Sequence, residues 1–219
     1  MDPNEAILEA VKKGDELQVK TLLSADPHLA NARTAGGGSA VLLAIYYGHP
    51  ELVDILLEAG LELDIFEACA AGKLARLDQI LIRQPRLVNA YAPDGFTPLG
   101  LAAFFGYEDL VITLLDRGAQ VNLRSRNALG VQPLHSSVAN QRLAISERLL
   151  DAGAEVNSPQ QDGITPLHEA ADNGQAEMVR LLLRYGADRQ ARAIDGSTPL
   201  DMAKRKDRQE VVRILEKLT

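Results

Sequence analysis

The chain has 219 residues, 46% of them hydrophobic and only 4% aromatic, with no Trp; this excludes a disordered chain and describes a core of Leu, Ala, Val and Ile rather than of large rings. The formal net charge of −7 disfavours general binding to phosphate backbones, so no nucleic-acid partner is expected. Cys69 is the only cysteine, which rules out an internal disulfide framework, and no run of about 18 apolar residues is present to span a membrane.

The elements follow in chain order. Asp2-Pro3-Asn4-Glu5 combines a side-chain acceptor, a first-turn proline and a glutamate three residues after Asp2, a helix start and an expected N-terminal cap. Gly14 closes that first helix. The same closing position recurs at Gly48, Gly72, Gly106, Gln141, Gly174 and Asp207. Seven repeats result, at about 4–34, 35–62, 63–93, 94–128, 129–161, 162–194 and 195–219, within a single expected domain, 1–219. Each reads as helix, turn, second helix, then a short finger. Gly-Ala pairs such as Gly118-Ala119, Gly153-Ala154 and Gly186-Ala187 stop the second helices, because Gly tolerates a left-handed backbone. Asp94-Gly95, Asp162-Gly163 and Asp195-Gly196 signal tight turns in the fingers.

The repeats are unequal. Gly48 to Gly72 is 24 residues, where Gly14 to Gly48 and Gly72 to Gly106 are each 34; one finger's worth of chain is missing between repeats 2 and 3. Asp64 and Glu67 have the spacing of a capping box, so a helix is predicted to start there directly, with no hairpin around residues 61–65. Pro27-His28-Leu29-Ala30-Asn31-Ala32 matches Pro85-Arg86-Leu87-Val88-Asn89-Ala90, so residues 5–62 read as an earlier copy of 63–122. The last helix, expected from Arg208 to Leu218, is apolar at Val211, Val212, Ile214, Leu215 and Leu218 and charged elsewhere, as a terminal repeat with a polar outer face would be.

The later repeats share a motif. Thr97-Pro98-Leu99-Gly100 returns as Gln132-Pro133-Leu134-His135, Thr165-Pro166-Leu167-His168 and Thr198-Pro199-Leu200-Asp201. Thr caps free amides and Pro suits a first turn that needs no amide hydrogen. With its period of about 33 residues and its T-P-L-H-x-A signature, the chain resembles the ankyrin-repeat family over nearly its whole length. The resemblance implies an all-α solenoid of about seven helix pairs with short β-hairpin fingers.

The chemistry that the sequence offers is sparse. The resemblance gives His135 and His168, at the last position of the signature, a structural role bonding neighbouring loops. His28 and His49 read as solvated loop residues. No H-x-x-x-H or C-x-x-C pair has ligand spacing, so neither metal nor cofactor is expected. Cys69 aligns with the small positions Ala103 and Ala171 and reads as a buried, inert thiol rather than a nucleophile. Gly36-Gly37-Gly38 has no following Lys and reads as a finger tip rather than a phosphate cradle. The chain is therefore expected not to be an enzyme.

Surface variation says more. The two residues before each closing position are Lys12-Lys13, Tyr46-Tyr47, Ala70-Ala71, Phe104-Phe105, Ala139-Asn140, Asp172-Asn173 and Arg205-Lys206. The resemblance places these on the concave side, where partners bind. Tyr46 and Tyr47 are expected to form one wall of an apolar cleft and Phe104 and Phe105 the other, over a floor of Ala70 and Ala71, with Phe96 and Tyr107 near the same stripe. The competing reading is that the rings pack on one another or on the gap left by the missing finger. Charge is uneven as well: residues 1–110 carry 8 Lys+Arg against 16 Asp+Glu, and residues 111–219 carry 15 against 14. The expectation is a cytoplasmic protein-protein interaction module, an adaptor, scaffold or inhibitor that binds its partner on the concave face and finger tips. Its partner is an unidentified protein bearing an apolar or basic protrusion, and the chain itself is a monomer or weak homo-oligomer. The alternative function is a self-associating scaffold, and behind it an enzyme using Cys69 or the histidines.

Overall fold

The computed structural model describes residues 2–217, so the apolar position expected at Leu218 lies outside the described residues. Among them are fourteen α-helices in seven antiparallel pairs. Repeats 1 to 3 hold α1 (Pro3–Lys13) and α2 (Glu16–Ala25), α3 (Ala40–Tyr46) and α4 (Glu51–Glu58), and α5 (Ile65–Ala70) and α6 (Leu74–Arg83). Repeats 4 and 5 hold α7 (Pro98–Phe105) and α8 (Glu108–Asp116), then α9 (Pro133–Ala139) and α10 (Leu143–Asp151). Repeats 6 and 7 hold α11 (Pro166–Asp172) and α12 (Ala176–Arg184), then α13 (Pro199–Arg205) and α14 (Gln209–Lys217). The chain divides into two compact units: an N-terminal one that runs to Leu87 and takes in Ala92–Asp94, and a C-terminal one comprising Val88–Tyr91 and the described chain from Gly95 onward.

In the N-terminal unit α1 packs on α3 and α3 on α5, while α2 packs on α4. Leu52, Leu56, Leu77 and Leu81 are buried between the layers, each worth about 1.5–3 kcal/mol of transfer free energy. The related endings of repeats 1 and 3 are both short 3-10 helices, Pro27–Asn31 and Pro85–Asn89. The glycine run is a closed turn: Thr34 N donates to Gly38 O at 2.8 Å and Gly38 N to Thr34 Oγ1 at 3.0 Å. Between repeats 2 and 3 no finger forms. Leu61–Leu63 carry no regular structure, and α5 begins under a capping box in which Glu67 N donates to Asp64 Oδ1 at 2.9 Å and Asp64 N to Glu67 Oε2 at 2.8 Å. Glu67 is almost fully buried there, and Arg33, from the preceding finger, reaches its Oε1 at 3.3 Å.

In the C-terminal unit the first helices stack as α7, α9, α11, α13, and α10 packs between α8 and α12, which in turn meets α14. Thr97 Oγ1 caps α7 by accepting from Gly100 N at 3.0 Å, and Thr198 does the same for α13 through Asp201 N at 3.2 Å. The fingers here are tight turns rather than extended strands. Ser125 N donates to Val131 O at 2.8 Å, Gln160 N to Ile164 O at 2.8 Å and Ala193 N to Ser197 O at 3.0 Å. Successive turns are tied backbone to backbone by Arg126 N to Gly95 O at 2.9 Å, Gln161 N to Leu129 O at 3.0 Å and Ile194 N to Asp162 O at 2.8 Å.

A second row of ties runs along the other end of this unit. Asn122 accepts from Glu155 N at 2.9 Å and donates to Gly153 O at 3.1 Å. Asn89 does the same with Gln120 N and Gly118 O, and Asn157 with Asp188 N and Gly186 O. Each amide thus satisfies one donor and one acceptor in the loop of the next repeat. In the N-terminal unit Asn31 occupies the corresponding place, but its amide turns back to His28 O at 3.5 Å.

Candidate partner-binding face and the family of the chain

The first helices of the N-terminal unit end in side chains of contrasting kind. α1 ends in Lys12 and Lys13, α3 runs into Tyr46 and Tyr47, and α5 into Ala70 and Ala71. Because α3 lies between α1 and α5, the tyrosines have basic residues on one side and small ones on the other. Tyr46 is 43% exposed and Tyr47 55%, so two adjacent rings are left open at this helix end. Tyr46 is anchored: its hydroxyl donates to Asp94 Oδ2 at 3.0 Å, and burial and that carboxylate raise its pKa. Ala70 is fully buried and Ala71 half-buried.

Phe96, Phe104, Phe105 and Tyr107 belong to the C-terminal unit, and all four are half-buried. The rings of Phe104 and Phe105 meet edge to face, centroids 5.1 Å apart, a favoured aromatic geometry. Tyr91, at the neighbouring turn, is stacked under the Arg126 guanidinium at 3.9 Å. Four of the eight predicted site residues therefore lie in one compact unit and four in the other, and the tyrosines are the more exposed pair.

The comparisons agree with the repeat architecture. A family model described as "Ankyrin repeats (3 copies)" matches residues 7–125, 65–160 and 134–218. The chain belongs to the ankyrin-repeat family. It is 26% identical over 190 residues to a probable E3 ubiquitin-protein ligase, XBOS32, of Oryza sativa subsp. japonica, covering 69% of this chain and 38% of that protein. It is 28% identical over 166 residues to the putative ankyrin repeat protein FPV014 of Fowlpox virus (69% and 36%). It is 27% identical over 171 residues to the nuclear factor NF-kappa-B p105 subunit of Rattus norvegicus (71% and 17%). The chain thus spans well under half the length of these relatives.

The ankyrin histidines do structural work. His168 Nδ1 accepts from Thr165 N at 3.2 Å, which leaves Nε2 to donate to Ser197 O at 3.1 Å, tying repeat 6 to the next finger. His135 Nδ1 accepts from Gln132 N at 3.3 Å. Burial lowers both pKa values, that of His135 to about 4, so both rings are neutral at pH 7. Cys69 is fully buried, and burial pushes its thiol far above the usual range. His49 departs from the sequence reading. It is half-buried, seated on Gly14, where an added Cβ would lie 2.5 Å from its ring, and its Nδ1 is 3.6 Å from Glu51 Oε1. The residue that opens the second helix's turn packs back onto the preceding ankyrin repeat, a contact that a loop assignment hides.

Proposed function

We propose that this chain is a non-catalytic protein-binding module whose partner docks on the tyrosine face of the N-terminal unit. The observation that carries this reading is the pair Tyr46 and Tyr47, left 43% and 55% exposed at the end of α3 with basic residues on one side and small ones on the other. Tyr supplies contact area at low entropic cost, and exposed rings are where binding energy concentrates. Membership in the ankyrin-repeat family, a generic protein-interaction fold, supports the reading. Lys12 and Lys13 flank the rings while residues 1–110 as a whole carry an excess of acid, which favours a partner that sets an apolar protrusion on the rings and its basic residues away from the two lysines. A non-catalytic role accords with a fully buried Cys69, whose thiol burial pushes well above its usual range, and with the Nδ1 atoms of His135 and His168 engaged in caps.

The test starts from partners recovered from source lysate and identified by mass spectrometry, then measured with purified proteins. The double variant Tyr46→Ala/Tyr47→Ala should keep its helical spectrum and bind the partner at least about thirtyfold more weakly, a loss of about 2 kcal/mol. Binding at full strength by the double variant would remove this face. Sedimentation of the pure chain separates the competing occupant: association with a second copy that the double variant abolishes would make the face a self-contact.

A further inference from the structure

In the C-terminal unit a groove of about 330 Å³ opens between the turn after repeat 5 and helices α11 and α13. Ile164 and Met202 supply apolar lining; Glu169 and Asp172 from α11, and Arg205 from α13, supply charge. Glu169 Oε2 is closed off from solvent and meets no hydrogen-bond donor, while the rest of the side chain, only partly buried, borders the groove. A shielded carboxylate without a donor is costly. Arg205 is directed elsewhere, with Nη1 3.9 Å from Asp195. The carboxyl instead responds by keeping its proton: burial alone pushes its pKa up to about 7.

We propose that this groove receives a basic side chain, an arginine or lysine of a protein partner, whose cationic head pairs with Glu169 while Ile164 and Met202 cover its methylene stem. The proposal rests on the reading of the chain as a protein-binding module and gives that module a second, chemically defined contact. It follows from charge complementarity: the groove holds a carboxylate that lacks a cation, a neighbouring carboxylate in Asp172, and apolar walls suited to a snorkelling stem. Binding displaces the Glu169 proton to solvent. The charged groups on the elements packed against α11 have partners or positions of their own: on α13, Asp201 accepts from Thr198 Oγ1 and Lys204 pairs with Glu216. α9 brings only the neutral His135, and His168 is held on Ser197 O. On α12, Arg180 pairs with Glu177 and Glu210, and Arg184 with Glu147. The adjoining turn carries Asp162, exposed.

The full chain is titrated by NMR with acetyl-Gly-Arg-Gly-amide, with the lysine peptide of the same form, and with the neutral isostere acetyl-Gly-citrulline-Gly-amide. A basic peptide should shift the resonances of α11 and α13, and the citrulline peptide should bind about tenfold or more weakly. Because only ionised Glu169 attracts a cation, affinity for the basic peptide should rise about thirtyfold from pH 5.5 to 8.5, as a pKa of about 7 requires. Glu169→Gln, a near-isosteric change, should abolish both the charge preference and the pH dependence. Equal binding of the charged and neutral peptides, unchanged binding by Glu169→Gln, or no binding of either basic peptide overturns the proposal. These probes do not touch the tyrosine face, so such a failure leaves the protein-binding reading standing. Full-strength partner binding by the tyrosine variant removes that face without altering the peptide result.

Discussion

Two kinds of side chain in the C-terminal unit hold protons against their ordinary behaviour, and they act on stability with opposite signs. His135 and His168 are kept neutral by burial, so the unfolded chain takes up protons before the folded one does. Their contribution is lost as pH falls below the ordinary histidine value of about 6.5. Glu169 is kept protonated by burial, so the folded chain binds its proton more tightly, and that contribution is lost as pH rises from about 4.5 to 7. Between about pH 7 and 4.5 the two trends partly cancel. Glu169→Gln removes the carboxyl trend, worth up to about 3 kcal/mol, and leaves that of the histidines. Denaturant melts across this range should show the variant losing stability on acidification more steeply than the parent; parallel curves would mean that Glu169 titrates normally. At this scale the sequence was readable where a motif fixes a role, as with the two signature histidines and the alignment that buries Cys69. It was silent on Glu169. The position between His168 and Ala170 reads as ordinary outward charge, and only packing against the next turn and helix shows that a carboxyl oxygen is sealed.

Within the elements, stability comes from each helix pair leaning on its neighbours. Leu149 is fully buried on α10, and α10 packs on α8 and α12. Leu149→Ala should leave a cavity costing about 2–5 kcal/mol. Because repeat arrays couple mainly to nearest neighbours, amides of repeats 4 to 6 should lose protection while those of α1 and α2 keep theirs. Hydrogen exchange that loosened all seven repeats equally would contradict this. The elements themselves were legible in the sequence because period, caps and closing glycines coincide in one register. The start of α5 shows how far that goes: a missing stretch of chain and the Asp64/Glu67 spacing together predict an abrupt helix start, and the capping box is present. The finger conformation was less legible. Asp-Gly pairs signal a turn but do not set the length of a ladder, and the C-terminal fingers close through turns tied to one another rather than through extended strands. The asparagine ties were not legible in the sequence, since their partners lie in the following repeat.

At the scale of the whole chain, the two compact units differ in how their repeats are joined. The C-terminal unit has the backbone ties between turns and three bidentate asparagines. In the N-terminal unit the fingers are interrupted, and Asn31 bonds within its own repeat. Each missing tie forgoes about 0.5–1.5 kcal/mol. Denaturant should therefore unfold the N-terminal unit first, and exchange of the α3 and α4 amides should precede that of α9 and α10; a single transition in which both units exchange together would count against it. The tyrosines thus sit in the unit with fewer ties. The division into two units was not legible in the sequence, where seven repeats in one register read as a single array. The seat that Gly14 offers His49 has a further consequence. Gly106 and Gly174 offer the same kind of space to Arg142 and Arg208 of their following repeats, with an added Cβ lying 2.6 Å and 2.8 Å from the guest side chain. The glycine belongs to one repeat and its guest to the next, so repeats 1 and 2, 4 and 5, and 6 and 7 form matched couples. Recombination that exchanged whole couples would carry seat and guest together, whereas a crossover inside a couple would leave an empty seat or a guest with nowhere to sit.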